Sequence, residues 1–338
     1  MKVAVDAMGG DNGPRVLIEG AVAAAREKGI EITLVGREDL IRKHLERIGA
    51  TGLPIDIYPA SQVVEMKESP ADSLRRKKDS TIRVAFELAA RGEAQAVVSA
   101  GNSGATLATA MVTLDRINSV RPAIATMMPT LKDPVVMIDV GANVDCKPHH
   151  LLQFGIMGAV FASKVAKTRT RPRVGLMSIG EEGSKGNLQV RRAYDLLSAS
   201  GLNFVGNVEG RDVFKGEVDV VVCDGFVGNI CLKLSEGFAE AALIMLRAEM
   251  KRSFMAKIGY RLAWNAFQRF KKRVDYSEYG GAPLLGIKGV AIICHGRSGV
   301  KAVKNAVCMA HELAMADLSG QIAEAIGRDP IRLSSAVT

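Results

Sequence analysis

The sequence predicts an α/β protein organised around a mostly parallel sheet. Short apolar runs rich in β-branched residues recur along the chain, the pattern of strands buried on both faces; Val218–Cys223, broken only by Asp219, is the clearest. Segments with apolar residues at helical spacing separate these runs. Six of the runs end in a glycine-bearing turn before a helix begins. Composition agrees: 48% of the 338 residues are hydrophobic and only 5% aromatic, which suits a large aliphatic core and excludes a disordered chain.

Residues 1–60 read β-loop-α-β-α-β, with strands at Val3–Asp6, Ile32–Val35 and Ile55–Tyr58 and helices at Pro14–Lys28 and Arg37–Ile48. Pro14 suits the first turn of its helix. Residues 61–80 are polar and irregular, leading to a helix at Thr81–Arg91 that Asp79 or Ser80 would cap. Two more strands, Ala96–Ser99 and Val135–Asp139, flank a helix at Ala105–Ile117. A helix over 151–166 follows. Its uncharged stretch is too short to span a membrane, and Gly155, Gly158, Ala159 and Ala162 would permit close approach in a core or a dimer interface. Next come a strand from Val174, a helix over 188–199, a strand at Phe204–Val205, the Val218–Cys223 strand and a long helix from Ile230. A basic segment, a glycine-rich turn at 279–283, and a last strand and helix over 290–325 complete the chain. Residues 1–328 read as one domain and 329–338 as a loose tail. The N-terminal strand is interrupted by Asp6 and is not a signal peptide. Cys146, Cys223, Cys231, Cys294 and Cys308 lack CxxC spacing and suit reduced thiols of a cytoplasmic protein.

The net charge of +9 is concentrated: Lys251 to Arg273 carries eight cations and no acid, leaving the remainder nearly neutral. Phe254, Met255, Ile258, Leu262, Trp264, Phe267 and Phe270 are interleaved with them. Phe254, Ile258 and Leu262 share a helical face, Trp264 and Phe267 lie elsewhere, and Gly259 would split the segment into a helical hairpin. The composition suits an anionic lipid surface or an acidic protein; no nucleic-acid motif accompanies it, and the bland reading is a dimer-packing arm.

In an open α/β sheet, ligands bind at the carboxyl ends of strands, so the glycine loops are expected to converge on one anion site. They contribute Asp6, Gly9 and Gly10; Ser99, Gly101, Asn102, Ser103 and Gly104; Asn143; Gly183, Lys185 and Gly186; Asp224, Gly225, Gly228 and Asn229; and His295. Each loop alone is a common tight turn. GxGxxG, GxxxxGK[ST] and GxSxG are all absent, so neither a dinucleotide fingerprint, nor a P-loop, nor a nucleophile elbow is present. Lys185, between glycines and before a helix, is free to reach an anion or a carbonyl oxygen, or is a solvated loop lysine. Asn229 reads as an N-cap or as a donor to an oxyanion. His295 reads as a general base or a structural histidine. Asp145–His150 offers Cys and His ligands, but no second cluster has zinc-finger spacing and no metal is assigned.

Taken in order, VAVDAMGGDNGP, VVSAGNSGAT, MIDVGANVDCKP, SIGEEGSKGN, FVGNVEGRD, CDGFVGN and YGGAPLLGIKG closely resemble the phosphate acyltransferase (PlsX) family of bacterial phospholipid synthesis. The resemblance spans Lys2 to about Leu318. It implies a three-layer α/β/α fold similar to isocitrate and isopropylmalate dehydrogenases and phosphotransacetylase, and usually a homodimer. It implies transfer of a long-chain acyl group from acyl carrier protein to inorganic phosphate, giving acyl phosphate, without metal or nicotinamide. It further implies a cytoplasmic enzyme associated with the inner face of the membrane, near a glycerol-3-phosphate acyltransferase, with membrane contact through 251–273 (Phe254, Ile258, Leu262, Trp264). Lys185 and Asn229 match family active-site positions. The chemistry agrees: phosphate is already an anionic nucleophile, and a thioester carbonyl needs chiefly positioning and donors to its oxyanion. Two other readings are a dehydrogenase on the same fold, against which the missing fingerprint argues, and a non-catalytic acyl-chain or membrane-binding protein.

Overall fold

The computed structural model describes residues 1–117, 120–166, 169–274 and 276–328. The chain opens with β1 (Lys2–Asp6), α1 (Gly13–Lys28), β2 (Glu31–Gly36), α2 (Glu38–Arg47) and β3 (Ile55–Pro59). It continues through α3 (Pro70–Arg76), α4 (Thr81–Ala90), β4 (Ala96–Ser99), α5 (Ser103–Thr113), β5 (Ala123–Met128) and β6 (Val135–Ile138). Helix α6 (Pro148–Phe161) runs into a π-helical turn at Ala162–Ala166, followed by β7 (Arg173–Met177), α7 (Leu188–Ala199), β8 (Asn203–Val208) and β9 (Val220–Val222). The C-terminal part holds α8 (Gly225–Arg252), α9 (Phe254–Leu262), α10 (Trp264–Val274), β10 (Ala282–Leu285), β11 (Val290–Ile293), α11 (Val300–Met315) and α12 (Leu318–Arg328). The expected tail, 329–338, lies outside the described residues.

Among the described residues the strands form one sheet in the order β3-β2-β1-β4-β11-β10-β5-β6-β9-β7-β8. Strands β3, β2, β1, β4 and β11 are mutually parallel, as are β6, β9, β7 and β8. Three antiparallel pairings, β11 with β10, β10 with β5 and β5 with β6, separate the two blocks. An odd number of reversals points the blocks in opposite directions. The sheet is therefore mixed, mostly parallel, with three layers. Val3 and Val5 of β1 face a core shared with α1, α6, α7, α11 and α12, while Ala4 between them faces a second core with α4 and α5.

Several boundaries differ from expectation for identifiable reasons. Strand β10 begins within the expected glycine-rich turn, at Ala282: Pro283 argues against a central strand, yet here it pairs with Ile292. Strand β5 was not expected at all. Helix α3 rises in the supposedly irregular stretch, with Pro70 in its first turn and Ser69 accepting from the Asp72 N–H. Of the two candidate caps for α4, Ser80 is used. Helix α8 starts at Gly225, five residues early, because Asp224 caps it through Val227 N–H at 2.8 Å. The basic segment breaks at Ser253 and Ala263, not at Gly259, and Tyr260 packs edge-on against Trp264 at 5.4 Å across the second break. The small residues of α6 serve close packing within the chain: Gly155 lies against Leu197 and Leu202, Gly158 against Val220 and Ile138.

Candidate active site

Strands β1, β4 and β11 deliver the first cluster of loops. β1 ends in the fully buried Asp6, whose carboxylate accepts from the N–H groups of Met8 and Gly9, each at 3.2 Å, and from Ser99 Oγ at 2.8 Å. Ser99 Oγ in turn accepts from Gly101 N–H at 3.1 Å. Gly9 has no room for a side chain, since a Cβ there would stand 2.6 Å from Asp6 Oδ2 and 2.8 Å from Gly101 N. Asn102 caps α5 by accepting from Ala105 N–H at 3.0 Å, and its amide donates to the carbonyls of Met66 and Glu68 at 3.0 and 2.9 Å. It thereby clips the segment before α3 over the loop. Ser103 is exposed, and the first N–H groups of α5, at Ser103 and Gly104, have no intrahelical acceptor. His295, exposed after β11, accepts at Nδ1 from Arg297 N–H at 3.2 Å.

The second cluster comes from β6, β9 and β7. Asp139 follows β6, buried, and its carboxylate accepts from the N–H groups of Ile124, Gly141, Ala142 and Asn143 and from the Asn143 amide, all between 2.7 and 3.1 Å. Burial raises the pKa of both Asp6 and Asp139 above the ordinary carboxyl value, while these hydrogen bonds pull the other way. Asn143 also donates to Pro122 O at 2.7 Å and accepts from Arg121 Nε at 2.5 Å. Its carbonyl receives Gly225 N–H at 2.7 Å, which locks the start of α8 to the loop after β6. Gly228 faces the same loop so closely that a Cβ would lie 1.9 Å from Asp139 O. Asn229 follows, half-buried, its side chain against Gly141. On β7, next to β9 in the sheet, the turn after Ser178 carries Lys185, exposed between Gly183 and Gly186.

The expected single point of convergence thus resolves into two clusters on opposing edges, because the three antiparallel pairings reverse the sheet. Twist of about 20–25° per strand turns β9 by roughly 80–100° relative to β11 over four steps. Helix α8 spans the gap: Asn229 lies at its second-cluster end, and Glu236 on its next turns lies within electrostatic range of His295. Burial raises the Glu236 pKa, and His295 opposes that rise.

The two clusters sort the expected residues by what their polar groups do. Asp6, Ser99, Asn102, Asn143 and Asp224 spend theirs on the chain's own backbone and on one another. The amides of Gly225, Val227 and Gly228 are likewise taken, by Asn143 O, Asp224 Oδ1 and Asp224 O, so 225–228 is not an open anion cradle. Asn229 is the fifth residue of α8 and not its cap. Among the described residues neither Lys185 nor Asn229 has a side-chain hydrogen bond or ion pair. Asp139, Arg121 and Glu236 were missed; for Asp139 the signal was available, an Asp closing a strand shortly before glycine, as Asp6 does. His149 and His150 stack edge-on at 4.3 Å, and no group of three His, Cys, Asp or Glu that could hold a metal is found among the described residues.

Residues 1–321 match the family model described as fatty acid synthesis protein. A phosphate acyltransferase from Citrifermentans bemidjiense is 57% identical over 325 residues, covering 96% of this chain and 92% of the relative. The chain belongs to the phosphate acyltransferase (PlsX) family. A second phosphate acyltransferase, from Syntrophotalea carbinolica, is 56% identical over 336 residues, 99% of this chain and 96% of its own. At this level of identity over nearly the full length, the protein is an acyltransferase enzyme. Among solved structures it is similar to a phosphotransacetylase from Streptococcus pyogenes (TM-score 0.62, 17% identity, 94% of each chain) and to EutD phosphotransacetylase from Staphylococcus aureus (TM-score 0.59, 16% identity, 93% and 94%). These likenesses show the three-layer fold.

Proposed function

We propose that this acyltransferase moves a long-chain acyl group from the thioester of acyl carrier protein to inorganic phosphate. One observation carries the reading: at the second cluster the side chains of Lys185 and Asn229 have no hydrogen-bond or ion-pair partner among the described residues, and both follow strands of the same sheet edge, Asn229 on a helix whose start is locked to the Asp139–Asn143 loop. Groups held ready without a partner cost little reorganisation when charge develops. A phosphate oxygen attacks the thioester carbonyl carbon, and the carbonyl oxygen becomes an oxyanion. The carbon–sulfur bond then breaks, and the proton of hydrogen phosphate ends on the departing thiol. The products are acyl phosphate and free carrier protein, with no acyl-enzyme. The Lys185 ammonium holds phosphate or the oxyanion, and the Asn229 amide donates to and orients the carbonyl.

The acyl chain follows the exposed apolar stripe of α8, where Ile230, next to Asn229 in the chain, is followed at one-turn spacing by Leu234 and Phe238. Among the described residues helices α9 and α10 bury no side chain: Phe254, Leu262 and Trp264 are 76%, 84% and 48% exposed beside an unbroken set of cations. Their face suits the anionic inner surface of the cell membrane, from which a neighbouring glycerol-3-phosphate acyltransferase would take acyl phosphate. Among the described residues no helix is long and apolar enough to cross a membrane. We assign the working form as a cytoplasmic, peripherally bound homodimer requiring no cofactor.

The test is steady-state turnover of palmitoyl carrier protein with phosphate varied. Lys185→Ala is expected to raise KM for phosphate and lower kcat, and Asn229→Ala to lower kcat by roughly 100- to 1000-fold, the loss typical of an oxyanion donor. Normal turnover and phosphate affinity in both variants would defeat the scheme.

A further inference from the structure

The loop that carries Lys185 is tied to the sheet by one buried side chain, Asn207 of β8. Asn207 is 8% exposed, and its Nδ2 donates to the carbonyl of Glu182 at 2.8 Å. The same carbonyl accepts the backbone N–H of Lys185 at 2.9 Å. A two-bond chain thus runs from the sheet, through Glu182 O, to the backbone of the lysine. Parallel pairing of Leu176 with Asn207 puts Asn207 on the same sheet face as Ser178, where the loop departs. From there to Asn187, which caps α7 through Val190 N–H, no regular element holds the segment.

We propose that Asn207 is a positioning residue for the acyl-transfer reaction, setting the place of Lys185 through Glu182 O. Packing does not explain a carboxamide at this point. Its Oδ1 has no partner among the described residues, and neither has the neighbouring Ser178 Oγ, so an aliphatic residue would fill the space without a stranded acceptor. What the amide contributes is the single bond to Glu182. The inference rests on the assignment of Lys185 made above.

Two measurements test it. Asn207→Leu keeps the approximate shape and removes the donor; Asn207→Ser, too short to reach Glu182 O, serves should the leucine prevent folding. Backbone hydrogen exchange across 180–187 is expected to quicken roughly 2- to 10-fold in either variant, the loss of about one hydrogen bond. Unchanged exchange overturns the tie itself. In turnover with palmitoyl carrier protein and phosphate, the variant is expected to lose up to about 100-fold in kcat with KM for the carrier protein unchanged, as for a reacting group displaced by about an ångström. In a Lys185→Ala background the same change is expected to cost nothing more. A full further loss there overturns the inference alone, while full activity of Lys185→Ala by itself overturns the role of Lys185 and this inference with it.

Discussion

Gly228→Ala isolates how the site is held. The added methyl would stand 1.9 Å from Asp139 O and 2.8 Å from Cys223 Sγ, and the first of these is backbone that cannot rotate away. Helix α8 must therefore lift from the loop after β6 by about 1.5 Å to reach an ordinary contact of 3.4 Å. That movement stretches the Gly225 N–H to Asn143 O bond, now 2.7 Å, and carries Asn229 with it. Overpacking of this kind costs about 1–3 kcal/mol, read as a fall of a few degrees in Tm. Displacing a reacting group by about 1 Å costs on the order of 100-fold in rate. Gly237→Ala, on the same helix with nothing within 4 Å, is the control; it gains about 0.5–1 kcal/mol and leaves turnover unchanged. Phosphate-dependent turnover and thermal unfolding of both variants supply the readout. Wild-type rate and Tm in Gly228→Ala would refute the claim that this contact sets Asn229.

Asp224→Ala removes the cap of α8 and is expected to cost about 1 kcal/mol by chemical denaturation, with a smaller loss of activity than Gly228→Ala, since Gly225 and Asn143 remain joined. His150 has its pKa lowered to about 4 by burial, with the charges of His149, Arg121 and Lys147 adding to the effect, and its Nδ1 accepts from Lys147 N–H at 3.1 Å. Because the folded value lies below the unfolded one near 6.5, the stabilising contribution is complete above about pH 6.5 and is lost as pH falls toward 4. Tm should therefore decline across that window, and less steeply in His150→Gln. Phe254→Asp with Leu262→Asp should abolish sedimentation with phosphatidylglycerol vesicles while turnover in solution stays at the wild-type rate, because neither residue is buried against the body.

The architecture was legible where chemistry is local. Helix α7 was read at its true limits because Gly186 and the capping Asn187 mark its start. The strands that end in glycine loops were placed to within a residue or two for the same reason. Strand β10 was hidden by Gly280 and Gly281 just before it and by Pro283 within it, which mark a turn in isolation; Ala282–Leu285 becomes a central strand only when β11 and β5 supply partners. That hidden strand also concealed the reversal of the sheet, and with it the division of the loops into two clusters. Pairing direction is a nonlocal property that four residues of APLL do not encode. At the site, Lys185 and Asn229 stood out as polar groups among glycines. Which of their neighbours were spent on the backbone was not legible, because an Asn that caps a helix and an Asn that faces a ligand look alike in sequence. Only the partners separate Asn102 and Asn143 from Asn229.

The most direct measurement is the fate of phosphate oxygen. Purified protein is incubated with palmitoyl carrier protein and phosphate labelled in all its oxygens with oxygen-18, and the products are resolved by mass spectrometry. Direct attack by phosphate predicts palmitoyl phosphate that retains the full label, formed together with free carrier protein and only when phosphate is present. Carrier protein released without labelled acyl phosphate, or no release from a folded protein given working carrier, would contradict phosphate as the acyl acceptor.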